Sequence, residues 1–292
     1  MAWRPRRFRS APPEDGVAQV RAFYDREGWQ WVDGESGDAR RWGTAAQGPV
    51  QRRLDEHRAE LLRGLLRVDG TGAEDGRGVA LLELGGGGQP AIHLAKGASS
   101  YTAVDLSGEG LKVARAAVEP LGIDAVFVQA DVRSLPLGDG RFDVAYSAHM
   151  IYHLPTAEDQ RRVLVEMARV VRPGGVLAVV SANPYPWLFL LRCLRRAIAD
   201  MPLVGTLANL VRRPPPLPYL PMSSAWLRDV LAPFGPTELF SFGVPTTTFA
   251  RRVGEDRPAT RLLWQGVYRL ETRLPVLASR VGSFTLVVLR KR

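Results

Sequence analysis

Thiols are nearly absent from this chain. Cys193 is the single cysteine among 292 residues. That excludes an intramolecular disulfide framework and a cysteine zinc site, and one thiol is compatible with a reducing, cytoplasmic location. Lysine is almost as scarce, with Lys96, Lys112 and Lys291 the whole complement. No uninterrupted apolar run reaches the ~18 residues of a membrane span, so no transmembrane helix is expected. The first residues carry Arg4, Arg6, Arg7 and Arg9 with no apolar core behind them. They do not form a secretory signal, and residues 1–15 read as a disordered basic tip.

The bulk of the chain is ordinary. Hydrophobic residues make up 46% and charged residues 24%, which excludes disorder, collagen or coiled coil as a description of the whole. The length suits one large domain with insertions rather than two full ones. A net charge of +9, carried almost wholly by arginine, raises the question of an acidic partner. The arginines are spread along the chain instead of forming one patch, so biased composition explains them better than nucleic-acid binding.

Residues 16–75 read as an N-terminal helical lid. Val17, Val20, Phe23 and Tyr24 fall at helical spacing, and a second amphipathic stretch runs from Val50 to Leu66. From Val79 short apolar runs alternate with helical patterns. The runs are Val79–Leu84, Tyr101–Val104, Ala125–Val128, Phe142–Tyr146 and Val176–Val180, with helices near 90–97, 108–118 and 157–171. Strands alternating with helices predict right-handed crossovers and a parallel sheet covered on both faces, within an α/β domain over 76–292. Two helical insertions, about 182–221 and 243–281, flank a helix (Ser223–Leu231) and a strand (Glu238–Phe242), and Phe284–Leu289 closes the chain as a strand.

The chemistry-bearing residues sit after the strands. Leu81-Leu82-Glu83-Leu84-Gly85-Gly86-Gly87-Gly88 carries a buried strand into a glycine loop. Such a loop allows a tight turn and close approach of a ligand to free N–H groups. Ala103-Val104-Asp105-Leu106 places a carboxylate at the end of the next strand, where it can accept hydrogen bonds from ribose hydroxyls or cap the following helix. Asp131-Val132 follows the third strand, and Phe142 to Ser147 is the fourth. Arg172-Pro173-Gly174-Gly175 is a turn into a fifth.

Taken in order, these four elements resemble a class I S-adenosylmethionine-dependent methyltransferase of the type 11 kind, close to small-molecule and quinone methyltransferases. The resemblance covers about 79–181 and the closing helix and strands. It implies a Rossmann-like seven-stranded, mostly parallel sheet and S-adenosylmethionine as cofactor. It further implies that Glu83, Gly85 and Gly87 surround the methionine part, that Asp105 binds the ribose with Leu106 against the adenine, and that Asp131 and the Val132 backbone reach the adenine amino group. Ser147 and Ala148 would lie beside the sulfonium end. The third glycine of the family loop is Gln89 here.

A dinucleotide reading uses Gly86, Gly88, Ala91 and Asp105, but leaves Asp131 without a role, so an NAD-dependent oxidoreductase ranks below a methyltransferase. An RNA methyltransferase would want an acceptor-site motif that Ser147-Ala148-His149-Met150 lacks. A methyltransferase-fold binding protein, or an enzyme that does not methylate, stays open because fold does not imply function.

His149 and His153 follow the fourth strand and are the candidate proton acceptors, each with a packing alternative. Tyr24, Trp29, Tyr152 and Trp187 are the candidate lid and substrate contacts. In the first insertion Trp187, Leu188, Leu191, Leu194 and Ile198 share one helical face and Arg192, Arg195 and Arg196 the other. Such a helix suits an apolar small-molecule pocket, a peripheral membrane contact or plain core packing. The second insertion could extend that wall or form a homodimer contact. No metal site is expected.

Overall fold

The computed structural model describes residues 13–28, 48–66, 78–85, 94–95, 97–184, 217–244, 253–255 and 257–292. The N-terminal part is α1 (Pro13–Phe23), a π-helical turn (Tyr24–Gly28) and α2 (Pro49–Leu66). The sheet domain follows as β1 (Val79–Leu84), β2 (Ala98–Asp105), α3 (Gly108–Val118), β3 (Asp124–Gln129), β4 (Phe142–Ala148), α4 (Ala157–Val170) and β5 (Val171–Ala182). Then come α5 (Ser224–Leu231), β6 (Thr237–Gly243), α6 (Pro258–Arg273), α7 (Pro275–Val281) and β7 (Phe284–Arg290).

Seven strands form one sheet in the order β3-β2-β1-β4-β5-β7-β6. The first five are parallel, and β7 runs antiparallel to both β5 and β6. The expected doubly covered α/β sheet is the one observed. Most strands run a few residues beyond their apolar runs, β5 most of all. It begins at Val171, straight out of α4, and takes Arg172 to Gly175 as an irregularity in its pairing with β4. Gly174, at φ +78°, supplies the left-handed turn there.

The sequence explains why central strands show no clean alternation: both faces are core. Leu82, Leu84, Ala145, Leu177 and Val179 pack with Val163, Leu164 and Met167 of α4 and Leu227 and Leu231 of α5. On the other face Leu81, Tyr101, Ala103, Val144 and Tyr146 pack with Leu62 of α2 and Leu111, Ala114 and Val118 of α3. Side-chain caps hold the helix starts. Ser107, Thr156 and Ser223 each accept a backbone N–H from the residue three places on. No helix separates β3 from β4; Arg169 of α4 stitches that loop by donating to the Leu135 and Leu137 carbonyls and to Asp139.

The second insertion carries the helices expected of it, and α2 docks on them. Arg58 of α2 makes a two-point pair with Glu271 of α6 at 3.0 and 2.7 Å. Glu271 also accepts the Val244 amide at 2.7 Å. Glu255 accepts the amides of Val50 and Gln51 at the start of α2. Leu54, Val244, Trp264, Val267 and Ala278 form a third, smaller core beneath these contacts.

The Glu271 side chain is only 2% exposed, against 18% for Arg58. Glu271→Ala removes the acceptor that Arg58 and Val244 share, and should lower unfolding free energy by about 3 kcal/mol in urea titrations. A loss under about 0.5 kcal/mol would mean that the pair behaves like an exposed surface bridge.

Candidate active site

The strand order reverses between β1 and β4. In an open α/β sheet the crevice outside the carboxyl ends of the strands at such a point is where ligands bind. Glu83 and Gly85 lie at the end of β1, Asp105 and Leu106 at the end of β2, Asp131 and Val132 after β3, and Ser147 and Ala148 at the end of β4. The topology thus brings together the expected cofactor residues that are described. Gly87, Trp29 and Trp187 lie outside the described residues.

Glu83 is 1% exposed. The Tyr101 hydroxyl donates to its Oε2, while its Oε1 is buried with no hydrogen-bond partner among the described residues. Burial pushes the carboxyl up to about 7, against the opposing effect of Tyr101. Gly85 adopts φ +67° and donates its N–H to the Val104 carbonyl. A Cβ here would stand 2.2 Å from Met150 Cγ, so the close approach that demands glycine at this point is made by Met150.

Asp105 is 9% exposed, and its Oδ1 accepts the Ser107 N–H at 2.7 Å. Ser107, not Asp105, caps α3, which removes the capping alternative for Asp105. Burial, joined by the nearby Asp25 charge, lifts the Asp105 carboxyl to about 7. Asp131 is more open and is gripped by Arg133, which donates to both carboxylate oxygens and to Asp159. The Val132 side chain packs in the core. Ser147 is fully buried and its hydroxyl donates to the Leu84 carbonyl, tying β4 to β1 at the crevice.

The loop after β4 is aromatic. His149 sits at φ +59°, a left-handed conformation uncommon outside glycine. Its Nδ1 pairs with the Tyr152 hydroxyl at 3.2 Å, and its ring meets Phe284 edge-on at 4.6 Å. Burial, with His153 and Arg58 adding to it, lowers His149 to about 4. His149 is therefore a neutral imidazole through the physiological range rather than a group that titrates in it. His153 donates its Nδ1–H to the Pro218 carbonyl at 2.9 Å, and burial lowers it as well. Tyr152 is only 6% exposed and backs the wall. Its ring lies 5.3 Å from that of Tyr219, which is 48% exposed.

Three residues carry weight that sequence reasoning did not assign: Tyr101, Asp25 and Tyr219. Tyr101 left one weak signal, a hydroxyl-bearing aromatic at the start of the run Tyr101–Val104. Asp25 and Tyr219 left none, because their importance comes from long-range contacts. Asp25 accepts the Ser107 hydroxyl at 2.7 Å, and its neighbour Tyr24 is raised to about 12 by burial and by Asp105. Both lie in the π-helical turn, a form often found at functional sites. At the far end of α1 a Cβ on Gly16 would meet Pro155 at 2.9 Å. The α1 segment thus reaches from the loop after β4 to the loop after β2.

Residues 82–179 match the family model of the methyltransferase domain. Over this stretch the chain carries a methyltransferase domain. The domain is 33% identical over 136 residues to the fatty-acid O-methyltransferase of Mycolicibacterium smegmatis, covering 44% of this chain and 45% of that one. The first curated relatives are matched over between 35% and 51% of their own length. Among solved structures, geranyl diphosphate C-methyltransferase from Streptomyces coelicolor, in complex with geranyl diphosphate and S-adenosyl-L-homocysteine, aligns with TM-score 0.56 at 14% identity over 97% of this chain and 100% of that one. The [4+2]-cyclase SpnF aligns with TM-score 0.55 at 21% identity over 97% and 98%. These structures share the fold of the methyltransferase domain.

The residues at the crevice fit this cofactor class. A buried carboxyl oxygen without a partner suits an ammonium group, and Asp105 suits hydroxyl donors. Among the described residues no cluster of three or more His, Cys, Asp or Glu suits a metal ion, and no helix is long and apolar enough to cross a membrane.

His149 gives a direct check. Its ring resonances should titrate near pH 4, well below the ordinary 6.5. A histidine depressed by folding binds fewer protons than in the unfolded chain, so its share of stability is present above about 6.5 and is lost as pH falls toward 4. The raised carboxyls of Glu83 and Asp105 act in the opposite sense, losing stability as pH rises toward 7. Stability measured against His149→Asn, which tolerates the left-handed backbone, isolates the histidine. The wild type should lose ground to the variant on acidification, and a midpoint near 6.5 would contradict the burial of the ring.

Proposed function

We propose that this chain binds S-adenosylmethionine at the carboxyl ends of β1 to β4 and transfers its methyl group to a small, apolar acceptor at O, N or C. The observation that carries the reading is the pair of buried carboxyls, Glu83 and Asp105, on adjacent strands at the switch-point crevice. When bound, the cofactor supplies a sulfonium-activated, electrophilic methyl group.

The chain's own residues then have distinct tasks. Glu83 accepts the ammonium end and, with Gly85 and Gly87, frames the methionine part. Asp105 accepts the ribose hydroxyls, Leu106 lies against the adenine, and Asp131 with the Val132 backbone faces its amino group. Asp131 keeps its place through Arg133. Ser147 and Ala148 border the sulfonium end. In-line transfer needs alignment and exclusion of water more than acid or base help. His149, neutral in this structure, takes a proton only where the acceptor must lose one; it outranks His153, whose Nδ1 is committed to Pro218. Tyr24, Tyr152 and Tyr219 form an uncharged aromatic wall suited to an apolar acceptor, with Trp29 and Trp187 assigned to the same pocket.

We assign α1 and its π-helical turn the role of lid, and α2 with the second insertion a supporting wall. A cytoplasmic location accords with the single thiol. Peripheral membrane contact through the arginine-bearing insertion and a homodimer contact remain secondary proposals. The similarity to SpnF favours one further reading, a methyltransferase-fold catalyst that holds the cofactor without transferring methyl.

Calorimetric titration with S-adenosylmethionine, S-adenosylhomocysteine and NAD tests the cofactor. The first two should bind and NAD should not; binding of NAD alone would overturn the reading. Asp105→Asn should weaken binding about tenfold, through loss of a charged acceptor. Transfer of labelled methyl to a panel of fatty acids, isoprenoids and polyketides then separates the readings. Cofactor binding with transfer to no member of the panel favours the non-methylating one.

A further inference from the structure

The acid of the glycine-loop motif does not stand alone. Glu83 pairs in register with Ala103 of β2 and Tyr146 of β4, and Tyr101 lies two residues before Ala103 on the same face. The two tyrosines therefore flank one carboxyl. Both rings are fully buried. The Tyr101 hydroxyl donates to Glu83 Oε2, and its ring is held edge-on by Phe127 at 6.1 Å. Phe127 is in turn covered by the Arg115 guanidinium at 4.7 Å. What remains unpartnered is Glu83 Oε1 and the Tyr146 hydroxyl. Buried polar atoms left unpaired are costly unless a ligand or water pairs them.

We propose that Tyr101 is a positioning residue for the cofactor site: it locks one oxygen of the Glu83 carboxyl so that the other is presented to the cofactor's ammonium group. The inference rests on the function proposed above. A carboxyl with two free oxygens and a free torsion would lose side-chain freedom on binding. Here Tyr101 fixes that torsion beforehand. Tyr101 does not itself touch the cofactor in this scheme; it acts through Glu83. The groups that face Glu83 can be named from each element: Tyr101 and Asp105 from β2 and Tyr146 from β4. Its sheet face is covered by apolar residues, Leu62 from α2 and Leu111, Ala114 and Val118 from α3. Among the described residues Asp105 is the one further charge acting on Glu83.

The test uses the full chain and two readouts. In the cofactor-free protein, the side-chain carboxyl carbon of Glu83 is titrated by NMR. Tyr101→Phe removes a donor to the ionised carboxylate, so the Glu83 midpoint should rise. Tyr146→Phe removes a hydroxyl from the same buried face without touching that hydrogen bond, and should leave the midpoint in place. The second readout is the dissociation constant of S-adenosylhomocysteine at pH 7, in a cycle of Tyr101→Phe, Glu83→Gln and the double variant. Tyr101→Phe should weaken binding about tenfold, and the double variant should bind no worse than Glu83→Gln alone. A purely structural tyrosine would add its cost on the Glu83→Gln background and leave the Glu83 midpoint unmoved, and either result overturns the proposal. An equal shift from Tyr146→Phe overturns it too. A wild type that fails to bind S-adenosylhomocysteine overturns the underlying function, and shows it before any variant is made.

Discussion

Burial of the sheet on both faces is the constraint that organises this molecule. Where helices cover both sides of a parallel sheet, side chains in the strand interiors must be apolar or paired, and polar chemistry is pushed to the strand ends. Glu83 and Asp105 sit at that limit. They are far enough down their strands to be nearly inaccessible, yet they adjoin the crevice. Their carboxyls are held near neutrality by burial, not by a neighbouring base. A site built this way is poised to favour ligands that bring positive charge or hydroxyl donors.

The rest of the architecture secures that edge. The Ser147 hydroxyl ties β4 to β1, and Ser107 starts α3 beside Asp105. The two N-terminal helices divide the remaining work. α1 and its π-helical turn bridge from Pro155 to Ser107 across the crevice. α2 is fixed on α6 through the Arg58–Glu271 pair and the Glu255 cap, with Arg58 near enough to act on His149. In the loop after β4, burial lowers both histidines, and the rings of Tyr152 and Tyr219 lie beside them. The wall is polarisable and uncharged, in keeping with an apolar acceptor.

Much of this was legible in the sequence, for reasons that differ by element. The strands were visible because doubly buried strands leave short, dense apolar runs such as Val79–Leu84, which the structure reproduces residue for residue. Their ends were less visible. Ser99 and Ser100 of β2 and Arg172 to Gly175 of β5 look like loop by residue type; Ser100 pairs with Ala80 and Asp124, while Ser99 and Arg172 to Gly175 fall at register shifts between paired residues. The acids proposed for the site were legible because each lies at or just past a strand end, Glu83 and Asp105 closing β1 and β2 and Asp131 following β3. Their settings were not, since Tyr101 reaches Glu83 across two strands and Asp25 reaches Ser107 across 82 positions. The histidines were found by position, but their neutrality depends on burial, which single residues do not report.

The most direct test of the account is the proton balance of cofactor binding. If two buried carboxyls with midpoints about 7 receive the ammonium and hydroxyl groups of the cofactor, binding must favour their ionised forms. Calorimetric titration with S-adenosylhomocysteine at pH 6.5, in buffers of different ionisation enthalpy, reads this as protons exchanged with the buffer. The account predicts release of roughly one proton or more per molecule bound. Binding with no proton exchange, or with uptake, would contradict raised carboxyls at Glu83 and Asp105 that ionise as the cofactor binds.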